Sequence, residues 1–352
     1  MGIKLVRVDE LCEDMIIGED VYARNDQIII GKGVKLNNQL IVKLKFYGID
    51  TVKIKENDFT ADSHRMKIMN SPEFRRFIRK YAKTVEVFRG QIQDVVYRNG
   101  QLETDLLIGQ LEEMISQSRN SMHLLEILQC MDAYDDSTYI HSVNVALYCN
   151  VFAQLLKLSE EDGRILMLCG LLHDIGKVLV PEEILNKQNA LSNQDTMIIR
   201  NHPKAGYVAV KYMDIDVRIK EVILKHHERC DGSGYPNGEN AEQIGEFAKI
   251  VAIADSYEAM TANRLYREPM CPFKAMEIMG EEGMKKYDIR YWLVFVDYVS
   301  QSYLNRRVFL SNGLEGEIVL FYPIHKTRPM VRTEEGFVDL SQDHSVEIVK
   351  VV

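Results

Sequence analysis

The sequence predicts a mainly α-helical chain with small β-rich modules at its N-terminal and C-terminal ends. Three observations carry this expectation. Residues from about Asp132 to Asn305 follow helical patterning almost throughout. The first 56 residues instead mix short β-prone pieces with one helical stretch, and from Arg306 onward β-prone segments alternate with turn residues.

Within 1–56, Gln27-Ile28-Ile29-Ile30 and Thr51-Val52-Lys53-Ile54 are β-prone. They flank a helix that starts near Asn37-Asn38, sets Leu40, Ile41 and Leu44 on one face and stops at Gly48. Residues 57–131 open as a polar linker up to Asn70 and continue as helices. Ser71-Pro72 offers a cap with proline at the first helical position. The seam Phe74, Ile78, Tyr81, Val85, Phe88, Ile92 and Val95 then alternates spacings of four and three until Asn99-Gly100. Such a seam either packs on its own neighbours or forms a dimerising or signal-relaying coiled coil. About three heptads are short for a coiled coil, which favours packing, while a homodimer through residues 72–98 stays open.

In the 132–305 region, Ser159-Glu160-Glu161-Asp162 reads as a helix N-terminal box. Ile165, Leu166, Cys169 and Leu172 follow and lead straight into His173, so His173 and Asp174 are expected on a helix anchored in the core. Residues 306–352 close the chain. There Arg307-Val308-Phe309-Leu310, Glu317-Ile318-Val319-Leu320-Phe321 and Val346-Glu347-Ile348-Val349 are separated by Ser311-Asn312-Gly313 and Glu334-Glu335-Gly336, as in a small β meander or barrel.

At 352 residues and 46% hydrophobic content the chain can build two or three compact units. A net charge of −9 argues against a polymeric nucleic-acid binder or an anionic-membrane binder, yet allows a phosphate-bearing ligand where positive charge is local. The six cysteines lie scattered without a C-x-x-C pair, as in reduced cytosolic proteins. Charged residues crowd Met1 to Met15, unlike a signal-peptide core, and no apolar run approaches the roughly 18 residues of a membrane helix. The expectation is a soluble cytoplasmic protein with no membrane span.

Two segments carry most of the chemistry: His173-Asp174-Ile175-Gly176-Lys177, and His226-His227-Glu228 followed by Asp231-Gly232-Ser233-Gly234-Tyr235-Pro236. Imidazole and carboxylate ligands without thiolate favour Fe, Mn or similar ions over a closed structural zinc site. On a helix, His173 and Asp174 point roughly 100° apart and can approach two ions, with the carboxylate able to bridge them. Lys177 returns to the same face and can neutralise a phosphate oxygen; the pentapeptide alone fits a surface ion pair equally well. His226-His227, preceded by Val222, Ile223 and Leu224, makes a poor core pair and a better metal pair. His141 and His202 taken singly suit a cap or a satisfied core histidine, and His64, His123, His325 and His344 fall outside the constellation. Asp255 follows an apolar run that would bury it, which demands coordination or a salt bridge. Arg264 and Arg267 lie three apart, either as a phosphate clamp or as a basic edge paired with Glu268 or Glu258. The glycines at 232, 234 and 238 make a loop on which Tyr235 could present its face to a base.

With these residues in place, 132–305 resembles the HD-GYP family, the branch of the HD phosphohydrolases that hydrolyses cyclic di-GMP. The resemblance rests on His141, His173-Asp174 with Gly176-Lys177, His202-Pro203, His226-His227-Glu228, the 231–236 loop, and Ala254-Asp255 through Thr261 to Arg264 and Tyr266-Arg267. It implies an all-helical HD-type domain. His141, His173, Asp174, His202, His226, His227 and Asp255 would be metal ligands, with Asp174 bridging two divalent ions, Fe or Mn. His173, Asp174 and Lys177 would be catalytic, and Lys177, Gly234, Tyr235, Pro236, Arg264 and Arg267 would meet substrate. Some members hold a third metal through a glutamate one turn before the first histidine. Ser137 stands there in this chain, so two ions are expected, with Asp136 close enough to leave a third open. Glu258 replaces a usual aspartate and Leu265 a usual proline.

The implied reaction is hydrolysis of cyclic di-GMP. Hydroxide bridging the metals attacks phosphorus in line with the leaving 3′ oxygen, producing pGpG, with a second cut to GMP left open. Cyclic GMP-AMP, or another nucleotide handled by a phosphohydrolase, is the rival substrate. A catalytically silent cyclic-dinucleotide receptor, relaying occupancy through residues 72–98, is the rival of another class.

Overall fold

A computed structural model of the protein describes residues 2–8, 11, 15–23, 28–56, 63–98, 100–131, 138–185, 187, 190–262, 269–281 and 283–352. The chain divides into two compact units, 1–66 (with 352) and 67–351.

The first unit contains β1 (Gly2–Arg7), β2 (Val21–Tyr22), β3 (Ile28–Ile30), α1 (Asn38–Phe46) and β4 (Thr51–Glu56). β1 pairs antiparallel with β4, Val6 opposite Val52, and β2 pairs with β3. Asn37 caps α1 by accepting the Leu40 amide at 2.9 Å, and Gly48 ends it at φ 66°. Ile41 and Leu44 share a small core with Ile17, Leu36, Val52 and Ile54. β1 is a strand that apolar patterning did not mark, because its Ile3 and Leu5 face outward, 44% and 61% exposed.

α2 (Ser63–Met69) spans the division between the units, and among the described residues thirteen further helices follow. They are α3 (Pro72–Arg98), α4 (Thr104–Ile115), α5 (Ser121–Cys130), α6 (Thr138–Leu155), α7 (Glu160–Leu172), α8 (Glu182–Leu185), α9 (Asn193–Arg200), α10 (His202–Val210), α11 (Val217–Lys225), α12 (Glu246–Thr261), α13 (Pro272–Glu281), α14 (Gly283–Lys286) and α15 (Ile289–Gln301). A 3₁₀ turn, Ile175–Leu179, lies between α7 and α8. α6 is the axis of this unit. Its Val143, Val145, Ala146, Leu147 and Val151 are all fully buried, and a helix apolar on every side must be surrounded. α3, α5, α7 and α12 surround it.

α3 begins as its cap residues predict, with Ser71 Oγ accepting the Phe74 amide at 3.1 Å. Its seam, joined by Phe77, is buried in the core of the unit except for half-buried Ile78, and α4 and α6 cover it. The seam therefore packs on its own neighbours, as its short length favours.

Five strands end the chain: β5 (Arg307–Leu310), β6 (Glu315–Leu320), β7 (Met330–Thr333), β8 (Gly336–Asp339) and β9 (Ile348–Val351). They form one antiparallel sheet in the order β8-β7-β6-β5-β9. This is an open meander whose last strand returns beside β5, not a closed barrel. Val308, Leu310, Ile318, Val331 and Ile348 turn its apolar face into the helical core. Mainly helical with small sheets at both ends, the architecture agrees with the fold class expected from the sequence. No helix among the described residues is long and apolar enough to cross a membrane.

Candidate metal centre

α7 delivers the first two residues of the site. Ser159 caps it by accepting the Asp162 amide at 3.0 Å, and buried Leu166, Leu171 and Leu172 anchor its inner face. The helix ends at Leu172, one residue earlier than a continuous helical reading requires. His173 is its C-cap, and Asp174 already has turn geometry at φ −98°, ψ 13°. The expectation that this pair lies within a helix is corrected here. The reason is the approach of α10: a Cβ on Gly176 would fall 2.0 Å from the His202 carbonyl oxygen and 2.6 Å from the Gly206 amide nitrogen. Only a glycine backbone fits that contact, and the chain tightens into the 3₁₀ turn to make it. Lys177 still returns to Asp174, Nζ to Oδ2 at 2.5 Å.

His141 comes from the first turn of α6 and Asp255 from α12, where Ile250, Val251, Ile253 and Ala254 bury it. His202 opens α10, and His226 caps the C-terminus of α11 with His227 beside it. All seven predicted ligands thus converge, although they come from five helices and their flanking turns.

The rings share one device. Nδ1 of His173 donates to the Gly170 carbonyl at 2.7 Å, and Nδ1 of His202 to the Ile199 carbonyl at 2.7 Å. Nδ1 of His226 lies 3.1 and 3.2 Å from the Val222 and Ile223 carbonyls, and Nδ1 of His141 bonds the Glu258 carboxylate. With Nδ1–H so used, each Nε2 lone pair turns to the common centre. There His141 and His173 bring their Nε2 atoms within 3.3 Å, and His202 and His226 within 3.2 Å. At that distance each pair of nitrogens needs a proton or a metal cation between them.

Asp174 is fully buried and divides its carboxylate between the two pairs. Oδ1 lies 3.1 Å from His202 Nε2 and 3.6 Å from His226 Nε2. Oδ2 lies 3.3 Å from His173 Nε2 and 3.5 Å from His141 Nε2. Asp255 spans the same space, with Oδ1 3.0 Å from His141 Nε2 and Oδ2 3.9 Å from His227 Nδ1. Two overlapping ligand sets result, Asp174-His202-His226-His227 and His141-His173-Asp174, each with its ligand atoms within 4.8 Å of one another. The buried Asp174 Oδ1 also lacks a hydrogen-bond partner. An orphaned carboxylate oxygen among converging lone pairs fits divalent metal.

Among known proteins, residues 102–290 match the model of the HD domain family. The chain belongs to the HD domain family. It is 32% identical over 246 residues to the cyclic di-GMP phosphodiesterase PA4108 of Pseudomonas aeruginosa, covering 68% of this chain and 57% of that protein. It is 38% identical over 152 residues to the 3′3′-cGAMP-specific phosphodiesterase 1 of Vibrio cholerae, covering 43% of this chain and 35% of that one. The chain therefore spans about half or less of these two relatives' lengths. In fold it is similar to Bd1817, an HDG"Y"P protein of Bdellovibrio bacteriovorus, with a TM-score of 0.54 at 17% identity, covering 83% of this chain and 98% of that one. The resemblance read from the motifs is borne out.

Charge in the HD domain follows from burial and pairing. Burial pushes His226 down to about 4 and His227 well below the ordinary imidazole range, so both are neutral at pH 7. Burial acts upward on Asp174 and Asp255, but His173 and Lys177 outweigh it for the first, and His141 and His173 for the second; both stay well below the usual carboxylate range. Burial also opposes a charge on His141, yet Glu258 and Asp255 raise it to about 10.

The glycine loop closes one side of the HD domain site. A Cβ on Gly234 would sit 2.4 Å from the Arg229 amide nitrogen, so this crossing too requires glycine. Tyr235 stacks on His227, centroids 4.6 Å apart at 30°, instead of standing free in the loop. Pro236 follows it at a cis peptide bond. Arg264 and Arg267, together with Asp136, Ser137 and Leu265, lie outside the described residues.

Three residues support the site in ways the sequence did not reveal, although Glu258 and Glu228 lie within its motifs. Glu258 joins His141 Nδ1 and takes an Asn144 Nδ2 hydrogen bond at 2.9 Å; its place three residues after Asp255 on α12 was the available signal. Buried Glu228 accepts the Asn237 and Glu239 amides at 2.7 and 2.9 Å and ties the loop down. Arg200, the last residue of α9, lies over the Tyr235 ring at 5.0 Å, and nothing in its sequence context marks it.

Proposed function

We propose that this chain is a divalent-metal-dependent phosphodiesterase that hydrolyses cyclic di-GMP to pGpG and onward to GMP. The observation that carries the reading is the division of one buried carboxylate, Asp174, between two imidazole clusters, with Lys177 against one of its oxygens. His141, His173, Asp174 and Asp255 would hold one ion, and Asp174, His202, His226 and His227 the other, with Fe or Mn suiting this donor set. When bound, such a pair supplies Lewis acidity and a water ionised near neutral pH.

The chain's own residues do the rest. The Nδ1 bonds hold the rings of His141, His173, His202 and His226 in one tautomer and one orientation. Lys177, partly exposed beside Asp174, faces where a phosphate oxygen would gather charge. Gly234, Tyr235 and Pro236 line the substrate side, and Arg264 and Arg267 follow α12 as phosphate contacts. With His173 and Asp174 setting the geometry, Lys177 completes the catalytic group. Reduced cysteines, three of them buried (Cys130, Cys149 and Cys169), suit a cytoplasmic setting. Self-association through 72–98 would use the outward face of α3, since its seam is occupied.

The relative from Pseudomonas supports cyclic di-GMP as substrate, while the one from Vibrio supports a second reading, cyclic GMP-AMP. Both are tested by incubating protein loaded anaerobically with Fe(II) or Mn(II) with each dinucleotide, beside a His173→Ala/Asp174→Ala control. Metal-dependent release of pGpG or GMP, lost in the control, is expected. Preferential cleavage of cyclic GMP-AMP would favour the second reading. Tight binding without cleavage of either would overturn both in favour of a receptor.

A further inference from the structure

A chain of hydrogen bonds leaves the metal centre through α12 and ends on α3, a helix that precedes the family match at residue 102. Its direction is forced. Glu258 can only accept, so at Oε2 it takes the His141 Nδ1 proton and at Oε1, 2.9 Å away, it takes the Asn144 amide N–H. Asn144 must then turn its carbonyl Oδ1 the other way, and the Tyr81 hydroxyl, 2.8 Å from it, must donate. Among the described residues, the other acceptor near that hydroxyl, the Ile140 carbonyl, is farther off at 3.4 Å. Tyr81 and Glu258 are both buried, so water competes poorly for these bonds. Glu258 thus joins α12 to both His141 and Asn144 on α6.

We infer that Tyr81 on α3 is a positioning residue for the ion held by His141, acting through Asn144 and Glu258. This rests on the metal-centre reading above. With Tyr81 in place, the Asn144 amide is locked and the Glu258 carboxylate is held at the angle that fixes the His141 ring. Without its hydroxyl, Asn144 loses the bond that orients its amide, and the ring of His141 is less constrained. Among the described residues this hydrogen-bond chain does not reach His202 or His226, and the set Asp174-His202-His226-His227 meets it at the shared Asp174, 3.5 Å from His141 Nε2. The effect is therefore expected chiefly on the step that depends on His141.

Calorimetric Mn(II) titration of the full chain, with His141→Ala and His202→Ala as references for the two binding steps, tests this. Tyr81→Phe is expected to weaken the step that His141→Ala abolishes by about tenfold, the lower end for a residue behind a metal ligand, and to leave the other step nearly unchanged. Phe88→Leu, on the same α3 seam but outside the hydrogen-bond chain, should lower the thermal midpoint without altering either step. Tyr81→Phe titrating like wild type, weakening the His202 step instead, or weakening both steps equally would overturn the inference. A wild-type protein that takes up one ion, weakened by both His141→Ala and Tyr81→Phe, would overturn the two-ion reading and leave the role of Tyr81 standing.

Discussion

Lys177 Nζ sits 2.5 Å from Oδ2 of Asp174, while Oδ1 of the same carboxylate faces His202 at 3.1 Å. One oxygen thus carries an ammonium and the other meets an imidazole, within a residue that solvent does not reach. The asymmetry separates the roles of the two side chains. Lys177 is partly exposed and can turn to an incoming phosphate; Asp174 cannot move.

Lys177→Met should therefore keep the bound ions and lose rate. Removing a single charge-stabilising donor at a reacting centre costs about 10²–10³ in kcat. The check is kcat for cyclic di-GMP beside the metal content of the same preparation. Loss of the ions together with the rate would show Lys177 to be structural.

Asp174→Ala removes the one group common to both ligand sets. Turnover should fall to background, and metal content from about two ions per chain to below one. His202→Ala, which touches one set, should retain about one ion. Elemental analysis distinguishes the two outcomes, and equal metal content in both variants would contradict a shared carboxylate.

Gly176→Ala places a methyl group 2.0 Å from the His202 carbonyl oxygen. Backbone cannot yield as a side chain end can, so the cost should reach the upper end of overpacking, about 3 kcal/mol. Urea denaturation of the metal-free protein measures it. His202 should be displaced with its backbone, so the variant should also lose the ion of that set.

Glu228→Ala leaves the Asn237 and Glu239 amides without their acceptor. Losing about 1.4 kcal/mol of loop ordering corresponds to a tenfold rise in KM. Steady-state kinetics should show that rise with kcat less affected, and amide exchange at 237 and 239 should accelerate. An unchanged KM would remove the loop from substrate binding.

Asp195 gives a pH dependence with a definite sign. Its carboxylate closes the capping box of α9 with Ser192 and binds Lys187, and the Lys187 and Ser192 hydrogen bonds depress its pKa from 3.8 to about 2. A depressed acid stabilises the folded state above its unfolded value and loses that contribution as pH falls through the folded one. The N-terminus of α9 should thus be fully held above about pH 4 and fray as pH drops toward 2. Asp195→Asn should show faster amide exchange over 192–196 already at pH 6, and the difference from wild type should shrink toward pH 2 and vanish below it. A difference that persists there would point to a cause other than the charge.

Much of this was legible in residue order. Ser71-Pro72, Ser159 and Asn37 mark helix starts because capping is a local bond between a side chain and an amide two or three residues on. The histidines and aspartates could be named because buried imidazole and carboxylate in apolar surroundings require a partner. The open sheet was half legible: its strands show in apolar patterning, but the return of β9 beside β5 depends on distant pairing.

The sequence by itself determined which residues are candidates for the chemistry and where most helices and strands lie, since both follow from side-chain type and short-range periodicity. Tertiary structure alone decided the rest. The turn at Asp174 exists because α10 lies against Gly176, and the sharing of one carboxylate between two imidazole clusters exists because helices distant in sequence meet there. Glu258 supports His141, and Arg200 covers Tyr235, for the same reason. Such contacts depend on angle and distance between separate elements, and neither is written in the spacing of residues along one of them.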